Sequence, residues 1–209
     1  MALFDVALHY NFFHAAEAGS DYDMRTLLDR SLISERPTQA VTFVDNHDTQ
    51  MGQSLQSFVA DWFKQLAYAI ILLRQEGLPC VFYTDYYGNP AYKRPLVPNL
   101  GKMIRIRHSY AYGEQKDYFD DEHTVGWVRQ GDTDHNNSAI AVVLNNSEVG
   151  TKQMEMGTAM SGVAFYDALG NFIEPVVIDS NGYGIFPVAG NSVSVWVQKK
   201  ALEDLTVNE

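Results

Sequence analysis

The stretch Val41-Thr42-Phe43-Val44-Asp45-Asn46-His47-Asp48-Thr49-Gln50 joins a short apolar run to a tip of polar and charged side chains. Its apolar part is typical of a strand that is buried on both faces, as the strands of a parallel sheet are. His and Asp side chains clustered where such a strand ends are what a barrel enzyme presents at the carboxyl rim of its sheet. The alternative is a strand closed by an Asx-rich turn, because Asp and Asn favour turns through local hydrogen bonds. From these residues alone, both interpretations stand.

The bulk composition predicts a globular chain with an acidic surface. The 209 residues are 46% hydrophobic and 20% charged, which is ordinary for one large or two small domains. A net charge of −11 argues against a nucleic-acid partner, since phosphates demand a basic surface. No membrane partner is expected either, because the longest apolar run, residues 66–73, is far shorter than the ~20 residues of a membrane span.

Two features bear on the compartment in which the chain works. The single cysteine, Cys80, cannot form an intramolecular disulfide, and its place in the apolar run 78–83 predicts a buried structural thiol. No signal pattern follows Met1, because an acid interrupts the first apolar stretch and no basic region precedes it. A cytoplasmic location is therefore predicted, and a secreted parent whose signal was lost by truncation is the alternative.

Hydrophobic periodicity in the first half predicts strands that alternate with helices. The segment 54–76 is the strongest helix, because its apolar residues recur on one broad stripe. This alternation predicts βα units and a parallel sheet. Three such units leave two unpaired sheet edges, which predicts self-association or pairing with a missing half. The predicted strands are 3–13, 41–44 and 78–83, and the predicted helices are 22–31, 54–76 and 102–108.

From about residue 117 onward the pattern changes to short β runs separated by turn signals such as Asn181-Gly182. An antiparallel β-sandwich is the expected result. The last residues, 201–209, have the composition of a frayed acidic tail. The predicted strands are 124–129, 139–144, 152–156, 163–166, 172–178, 184–188 and 193–198.

Seven short segments of the chain carry a resemblance to a known family. The segments are FDVALHY at 4–10, YDMR at 22–25, TFVDNHDTQ at 42–50, WFK at 62–64, LAYA at 66–69, VFY at 81–83 and NSVSVWV at 191–197. Together they resemble the bacterial liquefying-type α-amylases, which are glycoside hydrolases. The likeness runs from about Leu3 to Gln198, and the resemblance implies a (β/α)₈ TIM barrel followed by an antiparallel β-sandwich. The predicted fold class is therefore α/β plus all-β. Residues 1–113 would be the last three βα units of the barrel, 114–200 the sandwich domain and 201–209 a tail.

The same resemblance assigns roles to the polar tip. Asp48 is implied to be a catalytic carboxylate that holds and distorts the substrate ring, His47 to bind the sugar at the cleavage subsite, and Asn46 to support both. Nearby negative charge and tightening hydrogen bonds stabilise an oxocarbenium-like transition state. The nucleophile and general acid of a retaining glycosidase lie ~5 Å apart, and in this family both sit on preceding strands that residues 1–209 do not match. The expectation is a part of an α-amylase that acts on internal α-1,4 bonds of starch or glycogen-type glucans and is inactive alone.

Metal binding is judged from the same resemblance. Secreted relatives often hold calcium where barrel and sandwich meet, using backbone carbonyls near Tyr22 and acids or a histidine of the sandwich. The corresponding residues here are Glu122, His123 and Asn146, which supply less carboxylate charge than calcium prefers. No cofactor is therefore certain, and calcium stays open for the full-length parent. The acid run at 117–122 is expected to be a solvated loop.

Other residues leave alternatives open. Tyr83, Asp85, Tyr86 and Tyr87 follow the third predicted strand, where they would either line the cleft or form a structural loop. His9 and His14 would point to opposite faces of a strand, which argues against a zinc site formed by these two residues. A non-catalytic carbohydrate-binding or interaction module is the alternative function. A nucleotide-binding protein is disfavoured, because no Gly-rich phosphate loop follows a predicted strand.

Overall fold

The computed structural model describes residues 1–90 and 94–207. The described residues contain a three-stranded parallel sheet and two antiparallel sheets, together with helices. The parallel sheet has the order β1-β2-β3, with β1 at Leu3–Phe4, β2 at Ala40–Phe43 and β3 at Leu78–Cys80. β2 pairs with both neighbours in parallel. The predicted parallel pairing is therefore present, and the carboxyl ends of β2 and β3 lie at the same edge of the sheet. Six α-helices are described: α1 at Val6–Ala18, α2 at Leu32–Glu35, α3 at Asp61–Leu73, α4 at Tyr83–Tyr87, α5 at Leu100–Ser109 and α6 at Lys199–Val207.

Most of the first predicted strand is helical instead. α1 begins directly after Asp5, whose carboxylate accepts a hydrogen bond from the backbone N–H of Leu8 at 3.1 Å. Leu8, Phe12 and Ala15 are fully buried and recur at helical spacing. The aromatic-rich composition favoured a strand, but the cap at Asp5 and the four-residue spacing decide the structure.

The α-helix predicted at 22–31 is wrong, because this segment contains a short 3₁₀ helix at Met24–Thr26 followed by turns, and α2 begins after it. α2 begins where the carboxylate of Asp5 accepts hydrogen bonds from Leu32 N at 2.9 Å and Ile33 N at 2.7 Å. Asp5 caps α2 from 27 positions earlier in the chain, whereas the side chain of the N-cap residue Ser31 makes no cap hydrogen bond. Met24 and Leu27 are nevertheless buried, so their apolar spacing reported burial but not a helix.

The strongest predicted helix is confirmed in its central part as α3. It packs against α1, α5 and the parallel sheet on one side and against the antiparallel part on the other. This double burial explains why its residues from Leu66 to Leu73 are all buried. The predicted start at residue 54 was too early, and Leu55 is exposed. α5 confirms the helix predicted at 102–108.

Cys80 is exposed, so the predicted buried thiol is wrong. β3 is an edge strand, and its three residues carry alternating exposed and half-buried side chains. An apolar run in an edge strand has one face without a cover, which composition alone does not reveal.

The antiparallel part contains a six-stranded sheet with the order β4-β5-β6-β11-β8-β9 and a two-stranded sheet formed by β7 and β10. One face of the six-stranded sheet meets β7 and β10 around Phe165, Phe186 and Trp196. Its other face joins the core that includes α3. The antiparallel, sheet-rich fold expected from the sequence is confirmed. The strands are β4 at Gln115–Tyr118, β5 at Thr124–Gln130, β6 at Ala139–Asn145, β7 at Gly150–Glu155, β8 at Ala164–Asp167, β9 at Val176–Val177, β10 at Tyr183–Val188 and β11 at Ser192–Gln198.

Three parts of the second half differ from the sequence prediction. β4 was missed because its residues are polar, and the strand predicted at 172–178 is reduced to β9. The tail predicted at 201–209 is instead the helix α6 up to Val207, with Ala201 and Leu205 buried four residues apart. The acids of this segment hid that short apolar stripe. Residues 208 and 209 lie outside the described residues.

None of the described helices has the length and apolar character of a membrane span. One continuous core contains side chains from both the helical first half and the sheets of the second half. The division into domains at residues 113 and 114 stays a prediction.

Candidate functional site

The polar tip follows β2 directly at the carboxyl edge of the parallel sheet. The side-chain oxygen of Asn46 accepts hydrogen bonds from the backbone N–H groups of Asp48 at 2.9 Å and Thr49 at 3.2 Å. The tip is thus an Asx turn, as the structural interpretation of the sequence expected. That turn also presents the two ionisable residues to solvent, because the side chains of His47 and Asp48 are 85% and 47% exposed. His47 Nε2 lies 3.3 Å from Asp48 Oδ1.

A cavity of about 510 Å³ opens beside the tip. His47 and Gln50 line it from the tip, and Phe82 and Asn89 line it from the segment that follows β3. The guanidinium of Arg94, which also lines the cavity, lies over the ring of Phe58 at 4.6 Å. Most of its lining side chains are polar, with apolar surface from Met51 and Phe82, and Asp48 lies outside the lining. Concave sites that combine apolar surface with polar groups are typical of small-molecule binding. The cavity therefore joins the ends of β2 and β3 in one candidate ligand site.

A buried lysine anchors the base of this site. Lys64, on α3, has a side chain that is only 6% exposed, and its Nζ lies 3.0 Å from Asp45 Oδ2 and 2.5 Å from Asp85 Oδ1. Tyr68 OH donates to the other oxygen of Asp85 at 2.8 Å. Asp45 lies two residues after β2 and Asp85 lies in α4 after β3, so a single ammonium group binds the segments that follow two neighbouring strands.

Burial and ionic attraction act in opposite directions on the charges of this network. Burial favours the neutral amine, but the negative charges of Asp45 and Asp85 outweigh it and raise the pKa of Lys64. Burial also raises the pKa of Asp45, while the charge of Lys64 opposes that rise. The lysine therefore stays charged, and removing it would leave two buried carboxylates without a counter-charge.

The network reaches the tip through Asp45. Asp45 Oδ1 accepts hydrogen bonds from Thr49 Oγ1 at 2.9 Å and from Val59 N at 3.3 Å. Thr49 Oγ1 in turn accepts from Asn46 N at 3.2 Å. The buried carboxylate of Asp45 therefore holds the turn that carries His47 in place.

Sequence reasoning missed Lys64 and Tyr68, and it left Asp85 open between lining the cleft and forming a structural loop. Asp85 is buried in the network, whereas Tyr83, Tyr86 and Tyr87 are exposed on α4. A signal was available, because Lys64 lies among the apolar residues of α3 and a buried lysine requires a partner. Which acid it pairs with depends on the packing of three elements that are distant in sequence.

His9, on α1, contacts the end of β2. Its Nδ1 lies 2.6 Å from the backbone oxygen of Val44 and its Nε2 lies 2.9 Å from Ser57 Oγ. The ring stacks on Phe43 with centroids 5.1 Å apart. His9 is therefore a structural residue of α1. Within the described part of the chain, no group of three or more His, Cys, Asp and Glu side chains is arranged to hold a metal ion.

The free energy of unfolding of the chain is expected to decrease as the pH falls, because of His9. Burial lowers the pKa of His9 below its usual value, although the hydrogen bond to Val44 opposes that effect. Below about pH 6.5 the unfolded chain then binds a proton that the folded chain does not bind, so the free energy of unfolding decreases as the pH falls. Urea unfolding between pH 7 and pH 5 should show a shallower decrease for His9→Gln than for the wild type. His14→Gln, an exposed neighbour on the same helix, should keep the wild-type slope, and equal slopes for all three proteins would contradict the assignment.

The residues considered for calcium lie together where the loop after α1 meets the antiparallel part. Asn146 is fully buried, and its side-chain nitrogen donates to Gly19 O and Tyr22 O, both at 2.8 Å. His123 Nδ1 lies 3.3 Å from Asn146 Oδ1. Glu122 contributes its backbone oxygen, which accepts from Met24 N at 2.8 Å.

Comparison with known proteins adds to this geometry. Residues 140–197 match the family model described as Alpha-amylase C-terminal. Two solved structures share the fold over most of the chain, at low sequence identity. An α-amylase from Malbranchea cinnamomea has a TM-score of 0.64 and 19% identity, over 94% of this chain and 45% of that one. α-Amylase I from Eisenia fetida has a TM-score of 0.65 and 14% identity, over 93% of this chain and 48% of that one. The antiparallel part therefore shares the fold of these structures, and within it residues 140–197 are similar in sequence to α-amylase C-terminal domains.

The likeness to curated relatives extends beyond that domain. The chain is 50% identical to the α-amylase of Geobacillus stearothermophilus over 96% of this chain and 37% of the relative. It is 48% identical to the α-amylase of Bacillus licheniformis over 95% of this chain and 40% of the relative. The cytoplasmic α-amylase of Escherichia coli K12 is 39% identical over 96% of this chain and 42% of the relative. The resemblance predicted from the sequence, to the C-terminal part of a bacterial α-amylase, is confirmed, and the chain spans about two fifths of the length of these relatives.

Proposed function

We propose that the chain is the C-terminal part of an enzyme that hydrolyses internal α-1,4-glucosidic bonds of starch or glycogen-type glucans, and that it is inactive alone. The observation that carries this proposal is the tip after β2. There an Asx turn exposes His47 and Asp48 beside a ligand-sized cavity, in a chain that is 50% identical to an α-amylase. A neutral glucan also suits a chain with a net charge of −11.

The proposed architecture places β1, β2 and β3 as the last three strands of an eight-stranded (β/α)₈ barrel within residues 1–113. Both outer strands have a free edge in the described residues. Leu3 and Leu78, on these strands, are 50% and 64% exposed. Strand edges and apolar faces of this kind pair readily with further strands. The preceding strands of the parent enzyme are the partner that fits, and self-association of the chain alone uses the same edges.

In the proposed mechanism Asp48 holds the sugar ring at the cleavage point and stabilises positive charge as the glycosidic bond breaks. His47 donates a hydrogen bond to a sugar hydroxyl, and Asn46 keeps both residues in place through the turn. The nucleophile and the general acid would come from the preceding strands of the parent. A cytoplasmic location of that parent stays a prediction of the sequence.

Reconstitution tests this function directly. The chain incubated with soluble starch is expected to release no reducing ends. Co-expressed with the segment of the Geobacillus stearothermophilus α-amylase that precedes the matched region, it is expected to form a stable one-to-one complex that hydrolyses starch. Light scattering should show the self-associated chain converting to that complex.

Two results would contradict the proposal. Clear turnover by the pure chain would show that it holds a complete active site. A stable complex without turnover, combined with starch binding by the chain that survives Asp48→Asn, would favour a non-catalytic carbohydrate-binding module. The unmixed segment, assayed at the same concentration, is the control for activity that it carries by itself.

A further inference from the structure

A single side chain joins the first half of the chain to the antiparallel part where β6 ends. Asn146 follows β6 and is fully buried. Its amide nitrogen carries two hydrogens, and it donates to two backbone oxygens, Gly19 O and Tyr22 O, at 2.8 Å each. Both oxygens belong to the loop after α1. The amide thus bridges segments more than a hundred residues apart in sequence.

The loop after α1 and the end of β6 meet at this contact, which is called the joint below. The other groups of the joint fit this orientation of the amide. Asn146 Oδ1 faces His123 Nδ1 at 3.3 Å, so an imidazole with its proton on Nδ1 completes the hydrogen bonds of the side chain. Asn146 N also donates to His123 O at 3.3 Å. Turning the amide over would place Oδ1 against the two carbonyl oxygens, with no donor among three acceptors. That reversed arrangement would require a cation between them.

The donor set does not suit a calcium ion. Calcium prefers 6–8 oxygen ligands that include carboxylates, and the joint offers two backbone carbonyls and one neutral amide. The acids of the neighbouring run 117–122 have other partners. Asp117 binds Arg74 at 2.8 Å, Asp120 binds Lys152 at 2.7 Å, Asp121 accepts from His123 N and Thr124 N, and Glu122 lies 3.6 Å from His123 Nε2.

We propose that the Asn146 amide closes this joint in the place that a calcium ion would take, so that the two halves of the chain are held together there without a metal. The two positive hydrogens of the amide do what a cation would do, which is to neutralise the converging carbonyl oxygens. This contact, called the clamp below, depends only on residues of the chain itself. The proposal therefore does not depend on whether the parent hydrolyses glucans.

Thermal unfolding with and without calcium tests the clamp. The wild-type chain is expected to unfold at the same midpoint in excess EDTA and in excess calcium chloride, and calorimetric titration with calcium should give no binding heat. Asn146→Asp puts a carboxylate against the two carbonyl oxygens. Its midpoint in EDTA is expected to fall by about 5 °C or more, because two buried acceptors lose their donors. Calcium should restore part of that loss, because the joint then has a carboxylate and two carbonyls.

Asn146→Ala is the matched control. It removes the same two donors without adding a charge, so its midpoint should fall in EDTA and should not recover in calcium. A wild-type midpoint that is higher in calcium than in EDTA, or calcium binding abolished by Asn146→Ala, would overturn the proposal. The wild-type measurements decide the matter even if both variants fail to fold.

Discussion

Replacing Lys64 with methionine is expected to lower the free energy of unfolding by about 3–5 kcal/mol, the cost of breaking a buried ion pair by removing one partner. Methionine fills much of the space of the lysine stem, so packing changes little. The loss comes from Asp45 and Asp85, which would be buried without the ammonium group that now lies within 3.0 Å of both. Urea unfolding, followed by far-ultraviolet circular dichroism, measures it.

Two companion variants separate charge from packing. Lys200→Met removes an exposed partner of Asp204 on α6, and it should change stability little because surface ion pairs contribute little. The triple variant Lys64→Met/Asp45→Asn/Asp85→Asn removes all three charges together and should recover much of the loss. A Lys64→Met protein as stable as the wild type would show that the network does not anchor the strand ends.

Asp48→Asn is expected to reduce starch hydrolysis by the reconstituted complex by about 10²–10³-fold, the size of effect seen when one group that stabilises transition-state charge is removed. The amide has nearly the shape of the carboxylate but lacks its negative charge. The loss should therefore appear mainly in kcat, because the charge acts on the transition state more than on the bound glucan. Initial rates over a range of glucan concentrations measure it.

The same variant should leave the fold unchanged, because the Asp48 side chain is 47% exposed. Asp134→Asn, an exposed acid in the loop between β5 and β6, is the control for general effects of charge and should keep full activity. If Asp48→Asn retained activity within tenfold of the wild type, the catalytic role proposed for Asp48 would be wrong.

The local sequence pattern was enough to predict the elements in which buried side chains recur regularly along the whole length. β2, α5 and most strands of the six-stranded sheet were predicted in this way. In the central strands β5, β6 and β11 nearly every residue is buried, because both faces of the sheet are covered. The tip after β2 was also predicted, since its residue types and its position after a strand are both visible in the sequence.

Several of the failures depend on how elements distant in sequence pack together. Asp5 starts α1 and also caps α2, so one carboxylate decides two elements that the sequence misassigned. Lys64 meets its two acids only when α3 packs under the ends of β2 and β3. Cys80 is exposed because β3 lies at an edge, a fact of topology and not of composition. Periodicity reports which side chains are buried, but it does not report what covers them.

The position of β11 has a consequence for how the chain is made. This strand is the last of the six in chain order, yet it lies between β6 and β8 in the six-stranded sheet. Until the ribosome has delivered residues 192–198, the sheet exists as two separate pieces, each with an unpaired edge. Such edges are the surfaces through which nascent chains stick to one another. Translation that stops shortly before β11 would therefore release a product that is prone to aggregate, and the pairing of β11 with β6 and β8 ends this exposure.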